Sequence, residues 1–157
     1  MIRLGVLSDT HGSAAAIRRA VEFVGKVDAW LHAGDVLTDA AYLAEYTGVP
    51  VHSVAGNCDW GGVPKELVLE FEGCRILLLH GHRYGVKYDL YRLSLHAEEL
   101  DCRAVIFGHT HQSLLDKAGN LLILNPGSPA QPRFCKPSCA VLNVENGKVS
   151  ADIILLA

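Results

Sequence analysis

Residues Ile2 to Leu7 are apolar apart from Arg3 and end abruptly at Ser8-Asp9, which predicts a buried strand. From Ser13 the spacing changes: Ala16, Ile17, Ala20, Val21 and Val24 recur every three or four residues, predicting a helix opened by Ser13 and stopped by Gly25. A strand over Asp28 to His32, a helix from Asp39 to Tyr46 ending at Gly48, and a strand over residues 49–54 follow. This alternation of strand and helix predicts parallel β/α units.

The second half has a different rhythm. Glu66 to Phe71 alternates apolar and polar residues, Gly73 turns the chain, and residues 75–79 are almost wholly apolar, so the two segments read as an antiparallel hairpin. Residues 88–100 carry Leu90, Leu93, Leu95 and Leu100 on a predicted helix, followed by a strand over Ala104 to Phe107. Strands are expected at residues 113–116, 121–124, 139–144 and 149–155, with turns at Gly119-Asn120 and Asn146-Gly147, and this tail is expected to fold as a β-meander. Two packed sheets with helices outside accommodate both halves.

The chain has 157 residues, which sets the expectation of a single domain over 1–157. Half of it is hydrophobic and 20% charged, which excludes a disordered or collagen-like chain. The net charge of −3 argues against an extended nucleic-acid partner or an acidic membrane held by a general positive field. The longest apolar runs fall far short of the roughly 20 residues that span a bilayer. The first residues lack the cleavage pattern of a signal peptide, so a cytoplasmic location is the expectation. Five cysteines (58, 74, 102, 135, 139) with no C-x-x-C pair indicate neither a disulfide framework nor a thiolate zinc knuckle. They read mostly as small buried hydrophobes.

The eight histidines change the picture through their placement. Six apolar segments end in polar clusters: Ser8-Asp9-Thr10-His11, Gly34-Asp35, Gly56-Asn57-Cys58-Asp59, His80-Gly81-His82, Gly108-His109-Thr110-His111 and Asn125-Pro126-Gly127-Ser128. The carboxyl ends of strands in an α/β sheet share one edge, where ligands bind, so these clusters are expected to converge. Asp9 and Asp35 offer hard oxygen ligands, Asn57 a neutral carbonyl oxygen, and His11, His80, His109 and His111 imidazole nitrogens. Seven ligands exceed the need of one ion, and with a shared carboxylate they make a two-metal site with ions about 3.5–4 Å apart. Each cluster alone has a plainer reading: a capping Asp9, a turn at Gly34-Asp35, an Asx turn at Asn57 or Asp59, a core His80. Four such coincidences at one sheet edge, beside the two imidazoles of Gly108-His109-Thr110-His111, are jointly improbable.

Asp9-x-His11, Gly34-Asp35, Gly56-Asn57-x-Asp59, His80-Gly81-His82 and Gly108-His109-Thr110-His111, followed by Asn125-Pro126-Gly127-Ser128 and Gln131-Pro132-Arg133, resemble in order the calcineurin-like metallophosphoesterase superfamily. The short length and the Asn-Pro-Gly-Ser segment are most similar to its small YfcE-type phosphodiesterases. The resemblance implies an α/β fold, a four-layer α/β/β/α sandwich with two mixed sheets. It also implies two divalent metal ions, one held by Asp9, His11, Asp35 and His111 and the other by Asp35, Asn57, His80 and His109. Mn is the first choice of metal, with Ni, Zn, Fe and Co as alternatives.

The implied chemistry is hydrolysis of a small phosphate ester, a phosphodiester before a monoester, by a hydroxide bridging the two metals, with Asp35, Asn57 and His80 as the catalytic residues. Many superfamily members carry a histidine immediately after the asparagine, where this chain has Cys58; a thiol is a poor general acid, which predicts modest turnover and a preference for good leaving groups. YfcE-type sequences share that departure. Asp59 is expected to support the ligands from behind or to cap a turn. His82, Arg83 and Arg133 are candidate substrate contacts. His32, His52 and His96 read as structural or exposed. Two competing functions remain: a protein-binding scaffold of this fold, like the retromer subunit, and a monoesterase or nuclease acting on short ends. The apolar tail also offers a surface for a homo-oligomer.

Overall fold

The computed structural model describes residues 1–59 and 63–156. Among the described residues, ten strands and three helices form two five-stranded mixed sheets faced by helices. The first sheet comprises β1 (Ile2–Leu7), β2 (Ala29–His32), β3 (Val51–Ser53), β9 (Ser138–Glu145) and β10 (Lys148–Leu155), in the order β10-β9-β1-β2-β3. The second comprises β4 (Glu66–Phe71), β5 (Cys74–Leu79), β6 (Ala104–Ile106), β7 (Leu114–Ala118) and β8 (Leu121–Asn125), in the order β4-β5-β6-β8-β7.

Alternation along the strands divides the apolar residues among three cores. Leu4, Val6, Ala29 and Leu31 of the first sheet meet Ile76, Leu78, Ala104, Ile106, Leu122 and Leu124 of the second. On the opposite face of the first sheet, Trp30 and Val141 pack under α1 (Ala14–Val24) and α2 (Leu37–Thr47) through Ile17, Ala20 and Leu43. On the outer face of the second, Leu77, Val105 and Ile123 pack against Leu93 and Ala97 of α3 (Tyr91–Glu99). The layers therefore run α/β/β/α, and the central strands read as continuous apolar runs because both of their faces are covered.

The tail departs from the expected meander. β7 and β8 form a hairpin that joins the second sheet, where β8 lies parallel to β6 with Leu124 beside Ile106. β9 and β10 form another that joins the first, where β9 runs antiparallel to β1 with Leu142 beside Leu4. β8 is buried along its whole length and β9 over most of it, so each needs a strand partner inside a sheet and cannot lie at the end of a solvent-facing meander.

Two helix starts also differ from the pattern. α2 begins at Leu37 rather than Asp39, because Leu37 N–H finds its acceptor far along the chain, in the Asp59 carboxylate at 2.9 Å. α3 begins at Tyr91, after the turns around Gly85. α1 opens as expected, with the Ser13 hydroxyl accepting from Ala16 N–H at 3.2 Å, and Gly25 closes it with a φ of 78°. Among the described residues no helix is long and apolar enough to cross a membrane.

Candidate metal centre

β1, β2 and β3 are mutually parallel, as are β5, β6 and β8, so the loops that follow them emerge along one edge of each sheet. The two edges are stitched together across the sandwich. His109 N–H donates to Asp9 Oδ2 at 3.0 Å, and the His80 imidazole reaches the Ala33 carbonyl at 2.8 Å. Asp9, His11, Asp35, His109 and His111 all have left-handed backbone, with φ between 46° and 70°. Such φ values are uncommon outside glycine, and a cluster of them is strain held in place by its surroundings, as functional sites hold it. Close approach needs glycine at two positions. A Cβ on Gly56 would collide with the Asp35 carboxylate, and one on Gly108 with the Ser8 hydroxyl.

The seven sequence-predicted ligand residues are brought together. Single ligand atoms of Asp9, His11, Asp35 and His111 all lie within 4.8 Å of one another. His11 Nε2 is 3.1 Å from His111 Nε2 and 3.8 Å from Asp35 Oδ2, and His111 Nε2 is 3.5 Å from Asp9 Oδ1. His80 Nε2 approaches the same Asp35 oxygen at 3.4 Å, Asp9 Oδ1 at 3.8 Å and the Asn57 amide at 2.9 Å. The His109 ring lies 5.1 Å from that of His80, centre to centre.

The donor chemistry fits cations. Nδ1–H of His80 donates to the Ala33 carbonyl, and Nδ1–H of His111 to the Gln131 carbonyl at 2.7 Å, so each ring turns its Nε2 inward. Each Nε2 faces carboxylate oxygens, of Asp35 and Asp9 for His80 and of Asp9 for His111. Asp9 Oδ1 is buried without any hydrogen-bond partner, and the Asn57 amide oxygen faces only acceptors, the Asp35 oxygens and His109 Nδ1 among them. Turned over, the amide donates its nitrogen to them; turned with the oxygen inward, it adds a ligand atom for a cation. Oxygen and imidazole ligands without thiolate suit divalent Mn, Fe, Co, Ni or Zn.

The titration properties reflect the same shortage of positive charge. Burial pushes the Asp9 carboxyl up to about 6, against the lowering effect of His80 and the Ser8 hydroxyl. Burial acts in the same direction on Asp35, but the hydrogen bond and charge of His80 outweigh it and hold that carboxyl below its usual range. Burial would lower His80; Asp35 and Asp9 overcome it and raise it. Burial and the charge of His80 lower His109 to about 4, with Lys87 adding to the effect, and burial also lowers His111. Both rings are therefore neutral near pH 7, as ligation requires.

The remaining predicted residues take distinct places. The Asp59 carboxylate binds backbone, not the His80 or His109 rings: it accepts Gly56 N–H at 2.8 Å, Asp35 N–H at 3.1 Å and the α2 N–H of Leu37. It thereby fixes the two loops that carry Asn57 and Asp35. Cys58 is exposed, its backbone N–H donates to Asp35 Oδ1 at 3.0 Å, and burial and Asp35 raise its thiol pKa. His82 stands at the margin, its ring 5.5 Å from His80 and 6.1 Å from His109. Arg133 donates its backbone N–H to the His111 carbonyl at 2.9 Å, and its side chain lines an adjoining cavity. Arg83 and His82 line a smaller cavity beside His80.

Ser8, Ser128 and Asn125 have supporting roles that the sequence does not assign, and His32, expected to be structural or exposed, is structural. The Ser8 hydroxyl donates to Asp9 Oδ2 at 2.9 Å, and the Ser128 hydroxyl to the Asp9 carbonyl at 2.8 Å. The Asn125 amide donates to the Gly108 carbonyl and to Thr110 Oγ1, tying the His109-Thr110-His111 loop to the end of β8. His32, fully buried, accepts Gly34 N–H at Nδ1 and meets Thr10 Oγ1 at 2.9 Å. The signal for all four is a polar side chain at the end of an apolar strand, where burial demands a partner.

Residues 2–147 match the family model of the calcineurin-like phosphoesterase superfamily domain. A probable metallophosphoesterase of Methanothermobacter thermautotrophicus is 39% identical, covering 96% of this chain and 91% of its own. The phosphodiesterase YfcE of Escherichia coli is 29% identical over 88% of this chain and 85% of its own. Among solved structures, a predicted phosphoesterase from Streptococcus pneumoniae superimposes with a TM-score of 0.83 at 29% identity, covering 99% of this chain and 90% of that one. A Vps29 variant from Entamoeba histolytica does so at 0.77 with 25% identity, covering 98% of each. With two mixed sheets in four layers and a polar cluster at their joined edge, the chain belongs to the calcineurin-like phosphoesterase superfamily.

Proposed function

We propose that this protein is a metal-dependent phosphoesterase that hydrolyses a small phosphodiester at the cluster centred on Asp35. The observation that carries the reading is the inward-facing set of ligand atoms: Asp9 Oδ1, buried without a hydrogen-bond partner, and the Nε2 atoms of His80 and His111. In this reading Asp9, His11, Asp35 and His111 hold one divalent cation and Asp35, Asn57, His80 and His109 a second, with Asp35 shared. Two such cations supply a water acidic enough to lose its proton near neutral pH and a clamp for phosphoryl oxygens in line with attack. Mn is the first choice.

The chain's own residues position these ligands. The Ala33 and Gln131 carbonyls hold His80 and His111 in the tautomer that ligates. The Cys58 amide and the Asp59 carboxylate hold the Asp35 carboxylate and its loop. His82 and Arg133 at the margin contact the substrate's phosphate, Arg133 through its guanidinium. Cys58 replaces the imidazole of other superfamily members, and its raised pKa leaves it protonated and uncharged, so leaving-group departure has little acid assistance. Turnover is accordingly modest and favours good leaving groups.

The test is release of p-nitrophenolate from bis- and mono-p-nitrophenyl phosphate by metal-stripped protein, with Mn, Ni, Zn or Mg added back. Metal-dependent turnover of the diester above the monoester is expected; none with any metal, in protein shown to bind two ions, counts against it. The likeness to a Vps29 structure supports a second reading, a binding scaffold of this fold, and that outcome would favour it.

A further inference from the structure

A cavity of about 420 Å³ opens beside the cluster, lined by Thr110, the residue between His109 and His111. Its volume falls in the range of roughly 300–1,000 Å³ usual for small-molecule sites. Phe107 is a buried part of its lining, while Tyr88 and Phe134, also lining residues, are 91% and 95% exposed. Two aromatic rings left in water at one cavity run against the hydrophobic effect.

Phe134 is also held in an unfavourable conformation. Its φ is 56°, a left-handed value that bulky side chains avoid. On either side of it, Arg133 N–H and the Cys135 thiol both donate to the His111 carbonyl, at 2.9 Å and 3.7 Å. The segment is thus pinned to the candidate ligand loop with the Phe134 ring turned outward. An exposed ring with a strained backbone, tied to a site, indicates that the ring has something to hold. The same cavity carries two cations, Lys87 and Arg133, which act electrostatically on His109 and His111. Among the described lining residues the one acid, Asp89, accepts Tyr91 N–H at 3.0 Å.

We propose that this cavity is the subsite for a planar aromatic substituent of the phosphate ester, a nucleobase or aryl group stacked on Tyr88 and Phe134, with Lys87 and Arg133 drawing its phosphate toward the cluster. The proposal rests on the phosphoesterase reading of the adjoining centre. Stacking on aromatic side chains tolerates any planar ring, and the cations select those that bear phosphate.

Calorimetric titration of the metal-loaded protein with adenosine 5′-monophosphate, phenyl phosphate and ribose 5-phosphate tests it. The first two are expected to bind at least about tenfold more tightly than ribose 5-phosphate. Tyr88→Ala and Phe134→Ala, at exposed positions, bring them to its level with metal content and melting temperature unchanged. A preference for the adenosine ligand over phenyl phosphate marks a nucleotide substrate; equal binding marks a general aryl ester. Equal affinity for all three, discrimination that survives both substitutions, or no binding at all overturns the subsite. Diester hydrolysis on the same samples separates the two readings. Discrimination without hydrolysis retains the subsite and removes the phosphoesterase, and hydrolysis without discrimination does the reverse.

Discussion

Nδ1–H of His111 donates to the carbonyl of Gln131 at 2.7 Å, across 20 residues of sequence. The carbonyl has no proton to give, so the contact fixes which nitrogen of the ring is free, and Nε2 is turned toward Asp9 and His11. His80 repeats the device with Ala33. A centre built this way is organised before any cation arrives.

In the proposed reading Asp35 is shared by the two ligand groups. Asp35→Asn is expected to lower hydrolysis of bis-p-nitrophenyl phosphate by at least about 100-fold and to reduce the metal content at both positions. Plasma mass spectrometry on the purified variant, beside the rate, checks both. Full activity would remove the two-cation reading. His80→Ala is expected to spare one metal while collapsing the rate.

Asp59 satisfies three backbone N–H groups, of Gly56, Asp35 and Leu37. Asp59→Ala leaves them without an acceptor and exposes the start of α2, at an expected cost of about 2 kcal/mol or more in urea unfolding. Metal affinity falls with it, because the loops of Asp35 and Asn57 lose their tie.

Gly108→Ala drives a methyl group into Ser8 and Asp9. Overpacking of this kind costs about 1–3 kcal/mol. Its signature here is a loss of metal content larger than that of an exposed control such as Gly147→Ala.

Asp9 titrates near 6 because it is buried, so below that pH a proton competes with the metal. In the metal-free protein, a raised carboxyl pKa contributes stability at low pH that is lost as pH rises through about 6, and cation binding restores it. The rise in melting temperature on adding Mn is therefore expected to be large at pH 7.5 and to shrink as pH falls below 6. A rise that is the same at pH 5 contradicts this.

His32 behaves in the opposite sense. Burial depresses its pKa to about 4, below its ordinary value, so it folds neutral. Its contribution to stability is complete above about 6.5 and is lost as pH falls toward 4, at up to about 1.4 kcal/mol per pH unit. Imidazole NMR is expected to find His32 uncharged at pH 5.

Much of the fold is legible in the chain alone. The periodicity of Ala16, Ile17, Ala20 and Val24 marks α1, and the apolar strands that stop at Asp9, Asp35, His80 and His109 mark the parallel units and the edge where polar groups gather. These are local signals, since burial of one face or both fixes the spacing of apolar residues. What only the tertiary structure decided is nonlocal. Periodicity cannot say which sheet a hairpin joins, so the two tail hairpins part into different sheets only when β6 and β1 offer them buried edges. The turning of His80 and His111, the left-handed backbone at five candidate ligand positions, and the triple grip of Asp59 depend on carbonyls and amides from distant segments. A side chain's type is written in the sequence, but its free lone pair is set by whichever partner the fold brings to its other end.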